Sequence, residues 1–220
     1  MDNRPRPDTS DMRIVHDVFR TSYRSAPDLI RSAHGDAARR ELVLGYLDNV
    51  LALLLVHHDA EEELLFPLLR DRAPEGLAAL DRSSGQHRTV VALLADALGA
   101  VEDWRAHGDP AAAAAAAALE ALDVGVRPHL DDEESDVVPL ATGHLSVAEW
   151  EGFTRYSVEH FTGDKVWLIW GLIREQMTPD QRRRMLDQMS ASARGYWEST
   201  AHRQFDDLMG ELRRRAPAGR

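Results

Sequence analysis

Apolar residues recur along this chain at steps of three and four, the period of helices that bury one side. The first run reads Met12, His16, Phe19, Tyr23, Ala26 and Ile30, with Thr9, Ser10 and Asp11 ahead of it as candidate N-caps. Pro27 is expected to end this helix, kink it or open a new turn. After a break at Gly35-Asp36, a second helix is predicted from about Ala37 to Arg70. One of its faces reads Val43, Leu47, Val50, Leu54, His57, Glu61, Leu64 and Leu68, and Pro67 is expected to bend its final turn. Pro74-Glu75-Gly76 connects it to a third helix carrying Leu80, His87, Val90, Val91, Leu94, Leu98 and Val101. Gly108-Asp109-Pro110 then restarts the chain, with Asp109 read as N-cap and Pro110 at the first helical position. Ala111 to Ala118 read as helix that permits close packing, since alanine is the best helix former. The fourth helix continues through Leu122, Val126, His129, Glu133, Val137 and Leu140, with a kink expected at Pro128.

Beyond Gly143, Ser146 and Glu149 have the spacing of a capping box for a helix over about 147–160. An apolar helix over Lys165–Gln176 follows, and Thr178-Pro179-Asp180-Gln181 starts another. The remainder to about Arg215 has helical composition, with a break expected near Gly195. No segment alternates as a strand does. The chain therefore reads as all-α: a flexible arm over 1–9, a four-helix unit over 10–142, and a helical extension over 146–220 packed on it. The Trp167/Trp170 cluster reads as packing of the extension over the bundle, or as the surface of a homodimer formed through the extension.

Composition narrows the function. The net charge of −11 argues against broad nucleic-acid binding, which needs a basic footprint. Arg182-Arg183-Arg184 and Arg213-Arg214-Arg215 read as solvated helix faces and ends. No apolar run is read as membrane-spanning, and MDNRPRPDTS lacks the apolar stretch of a signal peptide, so the expectation is a cytoplasmic protein without a membrane partner. Cysteine is absent, so any metal site must be built from nitrogen and oxygen.

The informative residues are the polar ones on apolar faces. His57 and Glu61 interrupt the second helix, and His129 and Glu133 interrupt the fourth. An unpaired ionised carboxylate in such a place is very costly, so something positive or wet must meet it. The segments His57–Pro67 and His129–Pro139 follow one plan, with an acid at +4 and a proline at +10. His16 maps onto His87 with a shift of 71 residues, and the other two pairs map with shifts of 72. Each half is thus a helix pair giving one histidine and one His-x-x-x-Glu. Residues four apart share a helix face. Four imidazoles and two carboxylates, His16, His57, Glu61, His87, His129 and Glu133, make a ligand set for two adjacent ions. Imidazole with carboxylate suits iron, zinc and manganese alike, while a bridged pair with spare positions favours iron and small ligands. The pair His58/Glu62 has the same spacing, but Asp48 interrupts its face, so His58 is read as a partner behind the ligands. Tyr23 and His160 are further candidates for that outer role.

These residues, with HHDAEEELLFP and HLDDEESDVVP around them, resemble the hemerythrin family, specifically the bacterial HHE cation-binding domains of actinobacterial type, over about residues 10–142. The resemblance implies an up-down-up-down four-helix bundle around a non-haem pair of iron ions, bridged by carboxylate and an oxo or hydroxo group. It implies a small partner: dioxygen, nitric oxide or peroxide, or iron itself. Oxygen-carrying members of the family have a fifth histidine one turn after the third-helix ligand, where this chain has Val91. Water, Tyr23, His58 or His160 are the candidates to fill that gap. The roles left open are sensor or store, peroxide-decomposing enzyme, and an interaction module with a structural metal.

Overall fold

The computed structural model describes residues 5–214. They are helical without a strand. Four long segments form the bundle: α1 (Ser10–Arg31); α2 (Ala37–Ala60), continued by a π-turn (Glu61–Leu65) into α3 (Phe66–Arg72); α4 (Leu77–His107); and α5 (Asp109–Asp132), continued by a π-turn (Glu133–Val137) into α6 (Val138–His144). α1 packs on α2, α2 on α4 and α4 on α5, and α5 closes the ring against α1. Ala115 and Ala116 are buried where α5 meets its neighbours, the close approach that small side chains allow. The extension follows as α7 (Val147–His160), α8 (Val166–Gln176), α9 (Pro179–Gln188), α10 (Ala191–Tyr196), a π-turn (Trp197–Ala201) and α11 (His202–Arg213).

Local chemistry explains most boundaries. Ser146 accepts from the Glu149 N–H and Glu149 reaches back to Ser146, so the predicted capping box is present, and the helix start read at Thr178–Gln181 is a capping box as well. Several expectations need correcting. α1 runs through Pro27, which is buried inside it, to Arg31. Thr9 sits at the N-cap of α1 without capping it, and its hydroxyl instead lies 2.8 Å from that of Thr142. The N-cap of α5 is Gly108, whose positive φ of 69° only glycine adopts freely; Asp109 is freed to accept from the Gly35 N–H at 2.9 Å. The helix passes through Pro128, and its irregularity falls later, at Glu133–Val137. Gly195 lies inside α10, and the chain breaks earlier, where Ser190 caps that helix.

The extension docks onto α2. Leu168, Ile169 and Leu172 of α8, with Phe205, Met209 and Leu212 of α11, join the bundle's own core, and Trp167 packs against it. α2 is therefore covered on both sides, by α1 and α4 of the bundle and by α7, α8 and α11 of the extension. The continuous segment Ala37–Arg72 is long and apolar enough to cross a membrane, which corrects the reading that no run reaches that length. Of its most apolar window 67% is buried inside the protein, as in a core helix.

Candidate metal centre

The two π-turns set the site. In each, one extra residue is accommodated: the Phe66 N–H reaches back five residues to the Glu61 carbonyl, and the Val138 N–H to the Glu133 carbonyl. The following prolines, Pro67 and Pro139, lack an N–H and tolerate the disturbed ladder. The extra residue also shifts the helical phase. Beyond Glu61 the buried leucines are Leu65 and Leu69, with Phe66, rather than the predicted Leu64 and Leu68; beyond Glu133, Ala141 is buried in place of the predicted Leu140. A π-turn inside an α-helix is a frequent mark of a functional site.

Upstream of these turns, the bundle gathers its imidazoles and carboxylates into two overlapping groups. One is His16, His57, Glu61 and Glu133; the other is His58, His87, His129 and Glu61. Within each group the potential ligand atoms lie within 4.8 Å of one another, and Glu61 belongs to both. All seven residues are buried, none more than 4% exposed. The His57 Nε2 lies 3.0 Å from one oxygen of Glu61, and the His87 Nε2 lies 3.2 Å from the other. Glu133 approaches His16 at 3.5 Å and His129 at 3.6 Å.

Outer carboxylates orient two of the rings. Glu134 meets the His16 Nδ1 at 3.0 Å, and Glu62 meets the His87 Nδ1 at 2.7 Å. Glu62 and Glu134 are themselves 72 residues apart, so each half of the repeat braces the lone histidine of the other. A ring that donates its Nδ1–H outward presents the Nε2 lone pair inward. The His16 and His57 Nε2 atoms face each other at 3.2 Å, an arrangement suited to a shared cation. Arg20 fixes Glu134 at 2.6 Å and Asp131 at 2.7 Å.

Electrostatics of the polypeptide alone point the same way. Burial lowers His16, lowers His58 well below the ordinary imidazole range, and brings His129 to about 3, so these rings stay neutral, the form that binds metal. His87 is raised, because Glu61 and Glu62 outweigh its burial. The two buried carboxylates split. Burial works to raise both; His57 and His87 nonetheless hold Glu61 well below the usual range, while the charge of Glu61 adds to the rise of Glu133. Both oxygens of Glu61 and of Glu133, both nitrogens of His58 and of His129, and the His87 Nε2 are buried without a hydrogen-bond partner. So many orphaned polar atoms in one place are very costly unless a cation satisfies them. The donor set of nitrogen and oxygen fits such an ion.

The six residues singled out by spacing thus lie together. His58, read as standing behind the ligands, is instead inside the second group, with its ring 4.3 Å from His87 and 5.0 Å from His129. His58 is thus placed where the vacant position at Val91 needs an imidazole, one of the alternatives the sequence leaves open, and the apolar run Leu51–Val56 ahead of it is the sequence signal that α2 is buried on more than one face. Tyr23 donates to the Val50 carbonyl at 2.8 Å and is a core residue stacked on Phe19. His160 is exposed at the end of α7 and bonds the Tyr156 carbonyl, away from the site. Val91 is 44% exposed on the outside of α4, so this helix turns its one-turn-later position away from the cluster.

A helical bundle that buries histidines and glutamates in overlapping groups defines a class of protein able to hold metal ions in its core. Comparison with protein families makes the assignment specific: the hemerythrin HHE cation-binding domain matches residues 8–141, and the chain belongs to that family. Neither the curated proteins nor the solved structures compared with it give a match.

Proposed function

We propose that this chain holds two adjacent iron ions, one in each group with Glu61 shared, and uses them to bind or sense a small molecule such as dioxygen or nitric oxide. The observation that carries the reading is the concentration of five imidazoles and two carboxylates at four percent exposure or less, with both oxygens of Glu61 and Glu133, both nitrogens of His58 and His129 and the His87 Nε2 lacking hydrogen bonds. His58 supplies the imidazole that Val91 does not. Iron in such a site would contribute redox chemistry and exchangeable coordination positions. The chain's own residues do the rest: Glu62 and Glu134 set ring orientation, and Phe19, Phe66 and Phe153 wall the cluster with apolar rings.

Ligand size follows from the same enclosure. Cavities of about 340 and 640 Å³ lie beside the extension, and no cluster residue lines either. The buried rings packed around the cluster suit small reactants, hydrogen peroxide among them. A cytoplasmic setting accords with the absence of cysteine.

Anaerobic reconstitution tests the reading. About two irons per chain are expected, with an absorption spectrum that changes on admitting oxygen or nitric oxide. Stable zinc occupancy, with iron refused and no response to either gas, would contradict it. Peroxide turnover by the iron-loaded protein, lost in His57→Ala, would assign it an enzymatic role.

A further inference from the structure

Among the described residues, the aromatic ring by which the extension meets the cluster is that of Phe153. α7 is fixed at its start, where Glu149 forms a two-point pair with Arg72 at 2.6 and 2.9 Å and the Trp150 Nε1–H donates to Asp11 at 3.0 Å. The loop after α7 is fixed as well. The fully buried Asn49 of α2 accepts from the Lys165 N–H at 2.8 Å and donates to Asp164 at 2.9 Å. Between these anchors Phe153 turns inward, 7% exposed, against Trp150 at 5.4 Å and edge-on to His57 at 6.0 Å. His57 has Phe19 of α1 on it at 5.2 Å as well. In the other repeat, His129 meets only the rings of His58 and His87 at such range.

This matters because the two groups differ in donors. The group beneath Phe153 has two imidazoles and two carboxylates, one of them shared; the other has three imidazoles. Each group has four donor residues, and the extension covers the one that contains His57.

We propose that Phe153 is the specificity-determining residue of the site: it admits molecules of two or three heavy atoms to the His16/His57 group and excludes larger ones. With α7 anchored at both ends, passage requires the ring to swing aside, not the helix to open. This rests on the metal reading above.

The test uses the full chain loaded with ferric iron, probed with azide and with the larger acetohydroxamate, each followed by stopped-flow absorbance. Phe153→Ala is expected to bind azide at least about tenfold faster, equivalent to ~1.4 kcal/mol in the barrier, and to bind acetohydroxamate, which the wild type excludes. Phe153→Leu, which disturbs packing less, falls between them. Val158→Ala, at a 57% exposed position of the same helix, behaves as wild type. Rates are taken per bound iron, and loss of iron to a chelator gives a second readout, faster in Phe153→Ala. Azide rates within about twofold of wild type in both loaded Phe153 variants, with acetohydroxamate still excluded, overturn the gate alone. A wild-type chain that takes up no metal overturns the metal reading and the gate with it.

Discussion

The two halves of the bundle share a plan and differ in three places, and the differences carry the functional argument. Each half gives a lone histidine, a His-x-x-x-Glu, a π-turn at the glutamate and a proline behind it. In the first half His57 is followed by His58; in the second, His129 is followed by Leu130, buried in the core. In the second half the outer carboxylate Glu134 is clamped by Arg20, with its side chain 20% exposed; in the first, Glu62 is 45% exposed. Among the described residues, a ring from the extension covers His57 of the first half and none covers His129 of the second. A duplicated sequence thus builds an unsymmetric centre: one group rich in imidazole, one with fewer imidazoles beneath Phe153.

Breaking the shared element should have the largest effect. Glu61→Ala removes the carboxylate common to both groups, and metal content is expected to fall from about two ions per chain to near zero, as metal analysis would show. Retention of a full complement would mean that the groups do not depend on Glu61. His58→Leu, which copies the second half into the first, is expected to lower the content from about two ions to about one while leaving the fold intact by circular dichroism. The outer carboxylates come next. Loss of such a partner typically weakens metal binding about 10–100-fold. Glu134→Gln is expected toward the upper end and Glu62→Gln toward the lower, because only Glu134 is clamped and mostly buried; competition with a chelating dye would reverse the account if the order came out inverted.

Acid should act more gently. His16, His58 and His129 have folded pKa values below the ordinary one, so the unfolded chain binds more protons at these rings. Their stabilisation is complete above about pH 6.5 and declines as pH falls below it. His87 and Glu133 are raised and act in the opposite direction, so the metal-free protein should lose melting temperature only modestly between pH 7 and 5. The metal-loaded protein should lose more over the same interval, since protons compete with metal for the imidazoles. Melting curves of the two forms, equally flat in pH, would contradict this.

Spacing is enough to predict an all-α chain and to bring six of the cluster's residues together, because a 72-residue repeat records which faces must meet; the four-helix bundle itself is what the family resemblance implies. His58 is legible in the sequence as a candidate for the vacant position but not as a member of the set, because periodicity follows one buried face and α2 has more than one: His58 meets His87 and His129 inside the bundle, while His57 meets Phe153 of the extension. The π-turns were hidden: Pro67 and Pro139 were visible, but one extra residue per turn appears only in the hydrogen bonds and in the shift from Leu64 to Leu65. Contacts such as Asn49 with Lys165, or His57 with Phe153, join positions about a hundred residues apart and leave no local pattern to read. His160 and Tyr23 have the chemistry of outer partners, but one stands at the surface and the other in the apolar core.

The central claim is that two ions sit side by side, sharing Glu61, with His58 as a ligand. Anomalous diffraction from crystals of the iron-loaded protein tests it directly. Two peaks are expected inside the bundle, one against His16 and His57 and one against His58, His87 and His129, with Glu61 reaching both. A single peak, or two peaks with His58 turned away from either, would contradict it.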